Sequence, residues 1–397
     1  MKIINNIQNL LKNFFLNSFI VLISLILSFY ALEIYLLYKS GYSLFKDLNY
    51  QTPLEEWQSY PSSYIRTDTL KYISNQNNFV PLSGLSKQKI IVCNEGGFWS
   101  RYTSDRYGFN NPDNVWDKTF TDVVIVGDSF TEGACVNEYD TISSNLRKIS
   151  DLNIINLGRG GTASLSHLAL LSEYAPKNIK SIVWIYYEND VIDLDFELSS
   201  LTLKKYLNDE KFTQNLKYKQ NFIDNLHLND HKSLIKKLSK KDRNDEILRI
   251  YGTFNTDRYS YLKLYTLRNF IKERFFEKEK NIKKEKKYRL KFNQNFKTFK
   301  KIINIVNDNS LKNNIDFYFV YLSSRAKYAA GYDGKNYEDV INFTKDSNIK
   351  LIDMHDIFKK HPDPLSMFPF RRQLHYNEKG YKFVAENIYD FILKNKN

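Results

Sequence analysis

The sequence predicts an α/β protein: a three-layer α/β/α sandwich around a five-stranded parallel sheet, with a transmembrane helix before it and a helical insertion within it. Three observations predict this. An uncharged apolar run lies near the amino terminus, five short apolar runs alternate with helical stretches, and one long charged segment interrupts the alternation. With 397 residues, of which 42% are hydrophobic and 15% aromatic, the chain can bury a large core, which excludes wholesale disorder.

The first element is the run from Phe14 to Leu32, which contains 19 consecutive uncharged residues. A helix of that length spans about 28 Å, close to the hydrocarbon thickness of a bilayer. We therefore expect a cytoplasmic tip and membrane anchor over 1–38, with Phe14–Tyr38 in contact with the membrane. Lysines before the run predict a single pass through the inner or plasma membrane, with the rest of the chain extracytoplasmic. A cleaved signal peptide is the alternative, but the small residues of a cleavage site are missing.

Residues 39–88 are polar and mixed, which predicts a stalk or lead-in to a domain over 89–397. Apolar runs ended by turn residues are typical of strands buried on both faces of a parallel sheet. The expected sheet strands are 122–127, 153–157, 181–186, 315–321 and 349–353, with a shorter strand at 89–93 and helices near 139–150, 163–175, 260–310 and 336–346. Such sheets bind ligands outside the carboxyl ends of their strands, so chemistry is expected there.

The net charge of +13 belongs to one segment. Residues 201–300 contain 27 Lys and Arg against 12 Asp and Glu, and the rest of the chain is slightly acidic. Charged residues and Asn dominate 196–300, which predicts a basic helical insertion ending in a long helix around 278–300. No nucleic-acid module is recognisable and an exported segment faces away from nucleic acid, so we expect no nucleic-acid partner. An anionic membrane surface or an acidic glycan stays open as a partner.

Four short blocks carry the candidate chemistry. Gly127-Asp128-Ser129 follows a buried strand and would present a hydroxyl at the sheet edge, and the glycines of 156–162 would free backbone N–H groups for a ligand. Asn189-Asp190 supplies an amide after the third strand, and His375 comes just before the last helix. Each block alone is equally typical of a turn or a helix cap.

In this order the four blocks resemble the SGNH (GDSL-type) hydrolase superfamily, over roughly 120–195 and 315–390, and the superfamily has a flavodoxin-like sheet. The upstream run 107–112, Tyr-Gly-Phe-Asn-Asn-Pro, looks like the lead-in of membrane-anchored members. The resemblance implies a Ser129 nucleophile and a His375 base. It also implies an oxyanion hole made by the Ser129 and Gly161 N–H groups and the Asn189 amide.

Three further residues are expected near the substrate: Asp128, Gly160 and Arg372, the last as a ligand for an anionic substrate. Arg372 also marks a departure from the family, because it stands three residues before His375, where the family has its acid. Glu188 is a second departure, at a position where the family usually has Gly.

Three alternatives follow from the missing acid. Ser129 and His375 act as a dyad, an acid comes from elsewhere in the chain, or the site is degenerate. The acid expected from elsewhere is Asp363, with Asp353 and Asp356 as further candidates.

The chain has two cysteines, which excludes a disulfide-rich mini-protein and a Cys-rich zinc module. If the domain is exported, Cys93 and Cys135 are expected to form a disulfide that pins the membrane-proximal segment to the nucleophile loop. Two reduced thiols are the alternative. No His-Glu-x-x-His or paired Cys-x-x-Cys pattern occurs, so we expect no metal and no cofactor.

These features predict a membrane-anchored, extracytoplasmic serine esterase, that is, an acyl-ester hydrolase or O-acyltransferase such as an O-acetyltransferase. By family analogy its substrate is an acylated cell-surface or exported glycan, or another ester. The alternative is a degenerate binding or scaffold subunit of a surface-polysaccharide system. The sequence leaves the oligomeric state open.

Overall fold

A computed structural model describes residues 2–39, 60–63, 79–93, 95–96, 98–237, 262–272, 278–328, 335–371 and 373–394. The chain forms two compact units, one of residues 1–46 and 255–286, the other of residues 47–254 and 287–397. The predicted boundaries after 38 and 88 stay predictions.

The strands are β1 (Lys89–Ile91), β2 (Arg101–Thr103), β3 (Thr121–Val126), β4 (Ile154–Asn156), β5 (Ile179–Tyr186), β6 (Asp316–Tyr321) and β7 (Lys350–Asp353). The helices are α1 (Lys2–Lys39), α2 (Ser129–Glu132), α3 (Ile142–Ile149), α4 (Ser164–Tyr174), α5 (Leu194–Glu197), α6 (Leu201–Asn208), α7 (Gln220–Lys237), α8 (Tyr265–Ile271), α9 (Lys278–Lys312), α10 (Lys335–Asp346), α11 (Met354–Lys359) and α12 (Glu378–Lys394).

The larger unit is built on a five-stranded sheet in the order β4-β3-β5-β6-β7, in which every neighbouring pair is parallel. This is the flavodoxin-like order, so the predicted fold class is confirmed. The chain leaves β3 to one side for β4 and returns to the other side for β5, which makes the carboxyl end of β3 the switch point where such sheets bind ligands.

Helices cover both faces of the sheet because successive strand residues point to opposite sides. Val124 and Val126 of β3 pack on one face, in a cluster with residues of α4, α6, α9 and α10. Val123 and Ile125 pack on the other face, with residues of α3, α11 and α12. The result is the expected three-layer sandwich.

Strands β1 and β2 form a small antiparallel hairpin outside the main sheet. Ile90 and Tyr102 of this hairpin pack against Ala134 and Cys135, which follow α2 directly. The hairpin therefore lies beside the loop that leaves the carboxyl end of β3.

The basic helix α9 continues past the predicted end of the insertion at 300 and ends at residue 312, close to the end of the helical stretch predicted near 260–310. Among its lysines, Phe292, Phe299 and Ile303 are fully buried against the sheet face. Their spacing of seven and four residues places them on one stripe of the helix. The end of the predicted insertion thus belongs to the core, while 238–261 and 273–277 lie outside the described residues.

Within α1, the stretch Leu10–Leu36 is long and apolar enough to span a membrane. Its large apolar side chains are exposed along the helix rather than packed into the protein, as a lipid-facing helix requires and a soluble core helix does not show.

Gly127 joins β3 to α2, and the backbone packing leaves no room for a side chain. A Cβ atom there would lie 2.6 Å from the Ile185 carbonyl oxygen and 2.2 Å from Thr131 Oγ1. We expect Gly127→Ala to lower the free energy of unfolding by about 1–3 kcal/mol, as overpacking of a tight interior does. Thermal unfolding of the detergent-purified protein measures this, and an unchanged midpoint would show that the turn accommodates a methyl group.

Candidate active site

Ser129 is the first residue of helix α2, which begins at the switch point of the sheet. Asp128 caps this helix, since its Oδ1 accepts a hydrogen bond of 2.9 Å from the Phe130 backbone N–H. Its side chain is 2% exposed, and burial raises its pKa to about 6. Asp128, which we expected at the substrate, is therefore placed in a structural capping role.

Ser129 and His375 come together although 246 residues separate them in the chain. The distance from Ser129 Oγ to His375 Nε2 is 2.9 Å. The loop before α12 is held in place by the hydroxyls of the next two tyrosines, since Tyr376 donates to the Ser323 carbonyl and Tyr381 to the Ala134 carbonyl. The imidazole also packs against the Phe130 ring.

The acid beside His375 is Glu95. Its Oε1 lies 3.0 Å from His375 Nδ1, and its Oε2 accepts a hydrogen bond of 2.8 Å from the His375 backbone N–H. The Glu95 side chain is only 3% exposed. Ser129, His375 and Glu95 are thus lined up in the order that the nucleophile, base and acid of a serine hydrolase would take.

Glu95 and His375 shift each other's pKa. Burial works to raise the pKa of Glu95, but the charge of His375 and the hydrogen bonds from it lower that pKa overall. Burial works to lower the pKa of His375, but the Glu95 charge and hydrogen bond raise it above its usual value. An ionised carboxylate only accepts hydrogen bonds, so Nδ1 carries the ring proton and Nε2 is left to accept the serine proton.

The three acids considered from the sequence have other partners. Asp363 is paired with Arg371 at 2.5 Å and Asp356 with Lys360 at 2.7 Å. Asp353 caps α11 by accepting the His355 N–H. The choice of Asp363 as the acid is therefore corrected to Glu95, because surface ion pairs and helix capping occupy the other carboxylates. Arg372 lies outside the described residues.

A disulfide between Cys93 and Cys135 holds Glu95 in place. It ties the end of the β1–β2 hairpin to the segment after α2, and Cys135 Sγ lies 3.5 Å from His375 Nδ1. Glu95 is only two residues beyond Cys93. The expected pairing of the cysteines was the signal in the sequence that could have located the acid, since it brings residue 95 to the nucleophile loop.

Gly160 and Gly161, in the turn after β4, have different surroundings. The Gly160 N–H donates to Glu132 Oε2 at 2.7 Å, so this group serves the fold rather than the substrate. Gly161 has a φ of +73°, and no heavy atom lies within 4 Å of where its Cβ would be. Among the described residues, the Ser129 and Gly161 N–H groups donate to no acceptor, which suits an oxyanion hole.

Asn189, the third expected oxyanion donor, is held by its own loop. Its Nδ2 donates to Asp193 Oδ2 at 2.7 Å, which leaves the second N–H of the amide for a substrate. The preceding Glu188, at the position where the sequence resemblance led us to expect glycine, forms an ion pair of 3.2 Å with Lys327. Burial lowers the pKa of Lys327 to about 8.

The lead-in run 107–112 clamps the site from outside the sheet. Asn110 Nδ2 donates to the Glu132 carbonyl, and Asn111 exchanges two hydrogen bonds with the Asn156 backbone. Glu132, which is buried, also accepts from the Tyr102 hydroxyl of the hairpin. These bonds connect the hairpin, the nucleophile helix and the glycine turn.

One cluster of potential metal ligands lies at the site. Ligand-type atoms of Cys93, Cys135 and His375 lie within 4.8 Å of one another. Because the two sulfur atoms are joined in a disulfide, they are not thiolates, and this cluster does not offer a metal the ligands it needs.

Solved structures that resemble this chain include two proteins of known class. A lipolytic protein of the G-D-S-L family from Desulfitobacterium hafniense is 13% identical, with a TM-score of 0.35 over 68% of this chain and 99% of its own. A psychrotrophic esterase from Pseudoalteromonas sp. is 13% identical, with a TM-score of 0.29 over 69% and 97% of the two chains. No family model and no curated protein matches. Likenesses this distant do not bear on activity, which must be inferred from the site.

The coupling between Glu95 and His375 predicts a pH dependence. The base works only when neutral, so reaction of Ser129 with a fluorophosphonate should fall as the pH drops through the raised pKa of His375. Glu95→Gln removes the charge that raises this pKa and should move the midpoint to lower pH. Asp363→Asn is the matched control and should leave the midpoint unchanged. An identical midpoint in Glu95→Gln and wild type would contradict the coupling.

Proposed function

We propose that the protein is a serine acyl-ester hydrolase or O-acyltransferase of the SGNH type. The observation that carries the proposal is the chain of contacts from Ser129 Oγ through His375 to the buried carboxylate of Glu95, at 2.9 and 3.0 Å. A catalytic site needs a nucleophile, a base and an acid that orients the base, and these distances match all three roles.

The geometry supports the following reaction. Ser129 Oγ attacks an ester carbonyl while His375 Nε2 takes its proton, and the ionised Glu95 stabilises the imidazolium that forms. The Ser129 and Gly161 N–H groups, with the Asn189 amide, stabilise the oxyanion, each donor contributing about 3–4 kcal/mol in the transition state. His375 then returns the proton to the leaving alcohol, and an acyl-enzyme remains on Ser129.

The acyl-enzyme is resolved by water in a hydrolase or by a sugar hydroxyl in a transferase. We propose a membrane-anchored protein with its site on the extracytoplasmic side, acting on an acylated cell-surface or exported glycan. The apolar span Leu10–Leu36 and a disulfide beside the site support export, because disulfides persist in oxidising compartments. Adding a glycan acceptor to an assay with an activated acetyl ester distinguishes the two outcomes, since a transferase yields acetylated glycan.

The rival function, a degenerate scaffold, rested on the missing acid at position 372. Glu95 supplies a carboxylate to His375, so the observation that favoured the scaffold no longer does.

Labelling with a fluorophosphonate tests the nucleophile without knowledge of the substrate. Wild-type protein should be labelled and Ser129→Ala should not. Gel fluorescence measures the result. If neither protein is labelled although circular dichroism shows an intact fold, the result would support the scaffold function.

Glu95→Gln tests the acid. The amide keeps the shape but offers a donor where the imidazole needs an acceptor, so kcat on an activated ester should fall about 10³–10⁴-fold with KM little changed. Asp363→Asn, an exposed acid of similar chemistry, should keep kcat within about twofold. A Glu95→Gln enzyme with wild-type kcat would leave the Ser129–His375 dyad as the mechanism.

The disulfide should matter for both stability and turnover. The double variant Cys93→Ala/Cys135→Ala is expected to lose about 2–4 kcal/mol of unfolding free energy, and kcat should fall because Glu95 loses its tether. Dithiothreitol should lower kcat of wild type and leave the double variant unaffected. Full activity in the reduced wild-type enzyme would show that packing alone holds the acid.

A further inference from the structure

The membrane-spanning stretch has a protein partner near its carboxyl-terminal end. Glu33 is the one charged residue of Leu10–Leu36 other than Lys12, and it is 1% exposed although the other side chains of this stretch are exposed or half-buried. Glu33 Oε2 accepts a hydrogen bond of 2.6 Å from the Leu267 N–H, and the Tyr30 hydroxyl donates to the Leu262 carbonyl at 3.0 Å. Residues 262–272, which include α8, therefore pack on α1.

The position of this contact along α1 can be measured from the end of the apolar stretch. Tyr30 and Glu33 precede Leu36, the end of the apolar stretch, by six and three residues. At 1.5 Å per residue this corresponds to about 9 and 5 Å along the helix. In a bilayer spanned by this stretch, that depth is the boundary between the acyl chains and the headgroups.

The surface of 262–272 suits that boundary. Leu262, Phe270 and Ile271 expose 49, 50 and 38% of their surface. Three cationic side chains, Lys263, Arg268 and Lys272, are also exposed, and the segment contains no acid. Exposed apolar side chains beside basic ones, without acids, are typical of segments that lie in the membrane interface.

We propose that residues 262–272 form a second membrane contact, an interfacial segment that inserts Leu262, Phe270 and Ile271 into the bilayer beside α1. Anionic headgroups are its favoured lipid partners, because the segment exposes three cations and contains no acid. The inference rests on the proposed membrane anchoring. A helix at this position explains how the carboxylate of Glu33 is tolerated in an apolar stretch, since the Leu267 N–H binds it.

The experiment uses the full chain in phosphatidylcholine vesicles with or without phosphatidylglycerol. Both native cysteines are in the disulfide, so one added cysteine can be labelled with the fluorophore NBD. The variants are Phe270→Cys, Ile271→Cys, Ile23→Cys in the anchor and Arg268→Cys as the matched control on α8. Quenching by acyl chains brominated at shallow or deep positions is measured against unbrominated vesicles.

We expect at least twofold quenching at positions 270 and 271, strongest with shallow bromines, and weaker quenching at position 268. Phosphatidylglycerol should increase quenching at 270, and Lys263→Gln/Arg268→Gln/Lys272→Gln should remove that increase. Quenching at 23 without quenching at 270 and 271 would overturn the interfacial contact. A blue-shifted but unquenched label at 270 would show that a second copy covers the patch and would also overturn it. No quenching at 23 would instead overturn the membrane anchoring.

Discussion

The active-site geometry depends on the carboxylate of Glu95, which accepts hydrogen bonds from both the ring and the backbone of His375. One buried anion thereby fixes the loop before α12, the tautomer of the imidazole and the direction of Nε2 toward Ser129. Removing either partner leaves the other buried without compensation, and such groups are costly to leave unpaired. The clamp of hydrogen bonds around Glu132 and the disulfide both serve to hold this arrangement.

The sheet could be predicted from the sequence because strands buried on both faces are almost continuously apolar, and five such runs alternate with helices. The meeting of Ser129 with His375 was expected from the order of four short blocks, which together resemble a known superfamily, since each block alone is equally typical of a turn or a helix cap. Glu95 could not be read from local spacing, because 280 residues separate it from His375 and it lies in the loop of a hairpin outside the sheet. The packing of α9 on the sheet could not be predicted from composition either, because lysines dominate the helix. Its position is set by three apolar residues, Phe292, Phe299 and Ile303.

The insertion between β5 and β6 therefore combines two kinds of surface. The carboxyl-terminal half of α9 contributes to a layer of the sandwich, and α8 contributes to the unit that contains the apolar span. Part of the charge of this segment lies on the solvated face of α9, and part lies on the basic stretch 262–272 that we propose to be at the level of the lipid headgroups. Net charge alone could not separate them, since it contains no information on which cations share a face with apolar side chains.

The tether between Cys93 and Cys135 also defines a pattern that can be searched for. A disulfide holds two positions of a chain together. Here it brings the glutamate two residues after one cysteine close to the serine six residues before the other. Some chains carry the Gly-Asp-Ser and His blocks but have a basic residue three positions before the His. In such a chain, a Cys-x-Glu motif upstream together with a Ser-x₅-Cys motif at the serine would indicate that the acid comes from the Cys-x-Glu segment. A chain with both motifs would be a candidate for a complete catalytic triad.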